Sequence, residues 1–451
     1  MGEEPGAIDH PLRIDIRPDF TRGSGDVSLV DLFAGCGGLT LGIAQALYER
    51  GQRLRIPLAV DFESTAVDVY RANFPLAERV ELDSVETFFD GELGSSSTFA
   101  ETRTKASIGT APSMLVGGPP CQGHSNLNNH TRRVDAKNAL YLRMVRAAEI
   151  LDPEVVLIEN VPAVLRDRHD GEGVVAKALE QLGQLGYQVD HRVVSVRELG
   201  VAQTRKRHLL LATKSGDAHP SAVFDRLEAT NLHHDLEWAI GDLRQVDVGA
   251  AIDRRPVAKV DNVARMRWLL EHDEYDLPNE LRPECHRGTH TYKSMYGRLK
   301  WAEPAQTITS GFGSIGQGRY MHPEQPRALT AHEAARIQGF PDYFDFSACP
   351  TRTALATMIG NAVPHNWGRL LPPRSSTSAE SQGWMPTGRI ARPPEDGSTI
   401  RGHAVSPRYW KALFRRKGPG CRTRSMCARR RSRTRSRRSG TSSMCGAPVG
   451  R

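Results

Sequence analysis

Val27-Ser28-Leu29-Val30-Asp31-Leu32-Phe33, running into Ala34-Gly35-Cys36-Gly37-Gly38-Leu39-Thr40, decides the architecture. An apolar, β-favouring run ends in a glycine-rich turn, and the turn opens a helical pattern over residues 39–50. Glycines there permit a tight turn and let a ligand lie against backbone amides at a helix N-terminus. The spacing Gly-x-Gly-Gly lacks the third glycine of the dinucleotide fingerprint, so a nicotinamide cofactor fits poorly. Asp61, at the end of the second such run, is placed to accept hydrogen bonds from ribose hydroxyls, and Phe62 to stack on an adenine. Asp83, after the third run, suits an exocyclic amine. Without these neighbours both acids would read as loop caps.

The strand–helix pattern repeats. Short β-favouring runs at 27–33, 54–60, 79–82, 114–116, 155–158, 187–194 and 208–212 alternate with helical patterns at 39–50, 66–73, 140–151 and 173–185. That alternation predicts an α/β fold with a doubly wound, mostly parallel sheet. The last two runs have no helix between them, which predicts an antiparallel edge pair. From residue 213 to about 305 the alternation fades into polar, histidine- and arginine-containing sequence with isolated helical pieces such as 262–272, the mark of a separate module. Regular patterning returns at Leu329-Thr330-Ala331-His332-Glu333, where Thr330 is a good N-cap and Glu333 completes a capping box.

The net charge of +8 conceals two unlike parts. Of 60 Lys+Arg and 52 Asp+Glu, residues 371–451 hold 19 and 3, which leaves 41 and 49 for residues 1–370. An acidic body cannot hold a polyanion by bulk attraction, so nucleic-acid binding must come from local basic patches. The Arg/Ser/Pro-rich segment 371–451 offers little material for a core and is expected to be a disordered basic tail. No apolar run approaches bilayer-spanning length, and Met1-Gly2-Glu3-Glu4-Pro5 is unlike a secretory signal, so a cytoplasmic protein without a membrane partner is expected.

A second stretch carries the chemistry. Gly117-Gly118-Pro119-Pro120-Cys121-Gln122-Gly123-His124-Ser125 follows the apolar run Met114-Leu115-Val116 and puts Cys121 at the carboxyl edge of the sheet, where open α/β folds keep their chemistry. Glu159-Asn160-Val161 follows the run 155–158 and brings a carboxyl group to the same edge. Cysteine plus buried acid points to covalent attack assisted by protonation. The seven cysteines are scattered, with no CxxC pair to suggest zinc or a redox dithiol. Cys36 and Cys349 read as small buried hydrophobes.

Taken in order, DLFAGCGGLTLG at 31–42, GGPPCQGHS at 117–125, ENV at 159–161, QTRKRH at 203–208, ALTAHEAARIQGFP at 328–341 and IGNAVP at 359–364 identify the resemblance. The chain resembles the bacterial DNA (cytosine-5) methyltransferases. The resemblance implies S-adenosyl-L-methionine as cofactor, in a pocket of Phe33, Gly35, Gly37, Asp61, Phe62, Asp83, Pro120, Leu140 and Asn361. It implies an N-terminal arm at 1–24, a cofactor-binding and catalytic domain at 25–213, a target-recognition domain at 214–305, a return segment at 306–370 and the basic tail at 371–451.

In this family's chemistry Cys121 is the nucleophile that adds to C6 of an everted cytosine, and Glu159 shares a proton with N3. Arg205 and Arg207, alternating on an extended segment, would fix the cytosine carbonyl or an adjacent phosphate. The loop 122–135 would close over the base. Thr307-Ile308, at the end of the insert, would lie against the DNA, and Arg282, Arg287, Lys293, Arg298 and Arg319 are candidates for reading purine edges. Tyr292, Tyr296 and Trp301 could equally be core residues. The implied partner is double-stranded DNA, with a cognate restriction endonuclease acting separately, and the implied state a monomer in the cytoplasm near the nucleoid.

Two departures stand out. His332 occupies a position where the family usually carries arginine, which is expected to weaken a structural ion pair. Past Pro364 the sequence turns to Pro/Ser/Arg-rich material where the family continues with an amphipathic helix. The alternatives are a transfer-RNA cytosine-5 methyltransferase, which shares these motifs, and, owing to the aberrant C-terminus, a catalytically weak DNA-binding remnant.

Overall fold

β1 (Asp26–Leu32) is buried on both faces, and its alternate side chains enter different cores. Leu29 joins one apolar cluster, whereas Val30 and Leu32 join the other. The same period of two runs through the neighbouring strands, as expected of a sheet covered on both sides. The computed structural model describes residues 10–120, 138–214, 219–229, 233–245, 251–287 and 294–363.

β1 leads through α1 (Gly38–Glu49), β2 (Arg53–Asp61), α2 (Ser64–Asn73), β3 (Val80–Leu82) and α3 (Phe99–Ile108) to β4 (Met114–Gly117). There follow α4 (Asn138–Leu151), β5 (Val155–Asn160), a two-residue pair β6 (Arg168–His169) and β7 (Glu172–Gly173), α5 (Val174–Gln184), β8 (Gln188–Ser195) and β9 (Lys206–Thr213). The seven-stranded sheet has the order β3-β2-β1-β4-β5-β9-β8. β1 to β5 pair in parallel, while β9 runs antiparallel to both β5 and β8. The doubly wound sheet and its antiparallel edge pair are thus as expected. The order reverses beside β1, so the loops leaving β1 and β4 emerge side by side, where open α/β sheets bind ligands.

α3 escaped the sequence reading because its buried face is largely polar, carrying Glu101 and Thr104 beside Ile108. A Thr98–Glu101 capping box starts it, and Glu101 takes a 2.7 Å ion pair from the fully buried Arg146 of α4. β5 also reaches further than expected. Glu159 and Asn160 lie inside it, paired with Leu209 and His208 of β9.

Beyond β9, α6 (Pro220–Ala229) and α7 (Leu236–Ile240) pack into the same core as α1 and α2 through Val223, Phe224, Leu227, Leu236 and Ile240. A separate small core gathers Met266 and Leu269 of α8 (Val260–Glu271) with Leu277, Tyr296, Ile315, Met321 and Ala328. The last helices, α9 (Ala331–Ile337) and α10 (Arg352–Asn361), return to the main core beside α1 and α2. Two close approaches fix this return. A Cβ on Gly38 would sit 2.3 Å from the Val363 carbonyl oxygen, and one on Gly360 would sit 2.1 Å from the Ser310 nitrogen. No described helix is long and apolar enough to cross a membrane. The tail 371–451 lies outside the described residues.

The capping box at Thr330 and Glu333 is present, and Glu333 also receives both terminal nitrogens of Arg327 at 2.7 Å. His332 does not leave its surroundings unpaired. Its ring nitrogens lie 2.7 Å from Asp253 and 2.8 Å from Asp342, and Asp342 is shared with Arg336. Burial works against the charged ring, but the two carboxylates outweigh it and raise the His332 pKa. A raised histidine pKa adds stability that is complete below the unfolded value and is lost as pH climbs through the folded one. Thermal unfolding between pH 6 and 9 should therefore show the wild type losing stability relative to His332→Arg as pH rises above about 6.5, and parallel profiles would refute the charged bridge. Gly360→Ala should cost roughly 1–3 kcal/mol, since its new methyl meets backbone atoms that have no rotamer to escape by. An unchanged melting temperature would show that the α10 contact is not tight.

Candidate active site

Three left-handed residues shape the turn after β1: Phe33 at φ 56°, Gly35 at φ 54° and Gly37 at φ 91°. Phe33 holds that conformation without glycine's freedom, a strain that tends to collect at functional sites. Gly37 has a packing reason as well, because a Cβ there would lie 2.6 Å from the Phe74 ring. Gly35 faces open space, with nothing within 4 Å of where its Cβ would be.

The acids at this edge do more than wait for a ligand. Asp61 accepts from Gly35 N at 2.8 Å and from Glu63 N at 2.9 Å, clamping the turns after β1 and β2 together. Burial raises its pKa, and the backbone donors oppose that rise. Asp83 accepts from Ser84 N at 2.7 Å and Thr87 Oγ1 at 2.9 Å. The loop-capping role is therefore real for both, beside any role toward a ligand. Phe62 stands 64% exposed next to the half-buried Asp61. Pro120 and Leu140 are half-buried, and Asn361 is exposed as the last residue of α10.

The open space at Gly35, the absence of any side-chain cap or first-turn acid at the start of α1, and the free ring of Phe62 suit S-adenosylmethionine. Unclaimed amides can meet its carboxylate, and an exposed aromatic face can meet its adenine.

At the neighbouring edge, Glu159 is 6% exposed and its Oε1 lies 2.6 Å from Arg207 Nε. Its Oε2 faces Gly118, 3.3 Å from the place of a Cβ there. Asn160 donates from Nδ2 to the Pro119 carbonyl at 3.0 Å and accepts from Val161 N at 2.8 Å. The end of β5 thus supports the backbone that leads to Cys121. Cys121 and the loop 122–135 lie outside the described residues, which resume at 138. Cys36 is a buried hydrophobe as expected, whereas Cys349 is half-buried against the same core, and burial pushes their thiols up to about 12 and about 11.

Arg205 and Arg207 are both buried and close enough to repel. Burial first, and then the neighbouring Arg207, bring the Arg205 pKa down to about 9, with Glu159 opposing. Arg205 spends its Nη1 on the carbonyls of Ile308 at 2.8 Å and Gly360 at 3.1 Å. Arg207, by contrast, is directed at Glu159. The sequence reading missed Gln203, which is fully buried and whose Oε1 accepts from Ile308 N at 3.0 Å. The signal was available: Gln203, Arg205 and Arg207 share one parity on an extended segment.

Around the small core Arg298 donates to Pro323 O at 2.6 Å and Asp273 at 3.0 Å, and Arg319 donates to the carbonyls of Tyr275 and Arg298 at 2.8 and 3.0 Å. Both are committed to holding the small module together. Arg282 and Arg287 each donate Nε to a carbonyl, those of Leu277 and Arg282, at 3.0 and 2.8 Å. Tyr296 is a core residue and Trp301 is partly buried beneath Arg244. Tyr292 and Lys293 lie outside the described residues.

Comparison with known proteins agrees with these motifs. The chain is 40% identical over 362 residues to Type II methyltransferase M1.BsuMI of Bacillus subtilis, covering 80% of this chain and 83% of that protein. It is 29% identical over 355 residues to Type II methylase M.HgiDII of Herpetosiphon aurantiacus, covering 76% and 93%. Among solved structures, S. pombe Dnmt2 methyltransferase superposes with a TM-score of 0.51 at 16% identity, covering 76% of this chain and 96% of that one, a likeness of fold. The family model for C-5 cytosine-specific DNA methylase matches residues 27–371, and the chain belongs to that family.

Proposed function

We propose that this DNA (cytosine-5) methyltransferase acts on a cytosine everted from a specific duplex sequence, with Cys121 as nucleophile, and that it is the modification enzyme of a restriction–modification system. The observation that carries the mechanism is the buried Glu159–Arg207 pair, set against Gly118 one turn of backbone before Cys121. Cys121 follows Pro120 directly in the sequence, three positions after Gly118. The relatives named Type II methyltransferases support the restriction–modification setting.

Cytosine C5 is too weak a nucleophile to accept an alkyl group unaided. The Cys121 thiolate forms a bond to C6, and the ring's electron pair moves to C5. Glu159 shares a proton with N3, and Arg207 holds the Glu159 carboxylate in place while offering its guanidinium to the cytosine carbonyl. Phe33, Gly35, Gly37, Asp61, Phe62, Asp83, Pro120, Leu140 and Asn361 would hold S-adenosyl-L-methionine, which would supply the electrophilic methyl group taken up by C5, the electrons of the broken S–CH3 bond staying on sulfur. Loss of the C5 proton to a base then expels Cys121 as thiolate and restores the ring. Access to the face of the base requires that it leave the stack. Arg205 is assigned to the frame around Ile308, one step removed from the base.

Cys121→Ser should abolish methyl transfer while S-adenosylhomocysteine binding stays within about threefold; retained turnover removes Cys121 from its role. Glu159→Gln should slow single-turnover methylation by about 10²–10⁴ with DNA affinity little changed. It should also lower thermal stability, because Arg207 is left buried beside a neutral partner. An unaltered single-turnover rate contradicts the proton-sharing role. Nanopore sequencing of DNA from expressing cells should find 5-methylcytosine at one sequence, whereas methyl groups only on RNA would replace this reading with the transfer-RNA one.

A further inference from the structure

We infer that Gln203 and Gln338 are positioning residues that tie the DNA end of the site to its cofactor end, so that each ligand organises the site for the other. This rests on the function proposed above. Both side chains are fully buried. The Gln203 amide accepts from Ile308 N at 3.0 Å and donates from Nε2 to Gln338 Oε1 at 2.8 Å. Gln338 in turn donates from Nε2 to the Ile359 carbonyl at 2.6 Å. An unbroken chain of hydrogen bonds therefore runs from the peptide between Thr307 and Ile308 to the backbone two residues before Asn361.

Three further contacts make this chain a rigid link. The segment closing the insert pairs with residues 202–204, just before β9, through Ala305 N to Ala202 O and Thr204 N to Ala305 O, both at 2.9 Å. Arg205 joins the carbonyls of Ile308 and Gly360 directly. Gly360 lies against the backbone of Thr309 and Ser310, leaving no room for even a methyl group. In a close-packed interior, displacement of residues 307–309 must then move residues 359–361. A primary amide is suited to this place because it donates on one side and accepts on the other. A carboxylate would face the Ile359 carbonyl with a lone pair, and an apolar chain would take away that carbonyl's donor and leave the Gln203 Nε2 only the Ile337 carbonyl at 3.3 Å.

The test is a binding cycle on the full chain, read without turnover. S-Adenosylhomocysteine affinity is measured by calorimetry at low temperature, with and without a duplex carrying the sequence found methylated in expressing cells. In the wild type the duplex should tighten it by a factor within the usual range of about 5–150. Gln338→Met and Gln203→Met should each bring that factor close to one while the affinity for either ligand alone changes less than about threefold, and the double variant should be no worse than the singles. Gln338→Asn, which keeps the amide but shortens its reach, should lower the factor in the same direction and serves if the Met variants do not fold. Variants that keep the full wild-type factor, or a wild-type factor of one, overturn the inference. A wild type that binds neither ligand overturns instead the function on which it rests.

Discussion

The buried pair of Glu159 and Arg207 is the constraint on which the reactive edge depends. Neither charge could stay there alone, because removing one partner of a buried pair strands the other, at a typical cost of about 3–5 kcal/mol. The pair is possible only because β9 turns back antiparallel to β5, setting Glu159 opposite Leu209 with Arg207 two residues earlier on the same strand. The antiparallel edge of an otherwise parallel sheet thus supplies one half of the pair to which the proposed mechanism assigns the proton. The same strand end supplies Asn160, whose amide holds the Pro119 carbonyl and so sets the course of the backbone toward Cys121.

The cofactor edge follows a different logic. Its acids are partly consumed by the loops that carry them: Asp61 ties the turn after β1 to the turn after β2 before any ligand arrives. Pre-arranged turns of this kind reduce the ordering that binding must impose. The final segment closes the edge from the far end of the chain, held by polar side chains in a tightly packed seam around Ile308 and Gly360. The seam joins Gln203 and Arg205 to Ile308 and Gly360, residues more than a hundred positions further along the chain.

Much of this was legible in the sequence, for identifiable reasons. Strands covered on both faces read as nearly continuous apolar runs, so the sheet, its winding and the antiparallel pair at 187–213 could be anticipated. The six motifs carry the chemistry in short, ordered stretches. What stayed hidden was pairing at a distance. α3 is anchored by Arg146 on Glu101, which no apolar periodicity reports. Arg205 is spoken for by carbonyls about a hundred and a hundred and fifty residues away. His332 bridges two aspartates, one on each side of its ring, and their carboxylates raise its pKa against the effect of burial. Arg298 and Arg319, plausible base readers by composition, prove to be clasps within the small module.

In the proposed mechanism the residue following Pro120 attacks a pyrimidine ring beside the Glu159 carboxylate. Its most direct test is a covalent trap: the enzyme is incubated with S-adenosylmethionine and a duplex in which the target cytosine is 5-fluorocytosine, then digested and analysed by mass spectrometry. A fluorinated, methylated cytosine attached to the peptide containing Cys121 is the predicted result. No adduct, or an adduct on any other cysteine, would contradict the account.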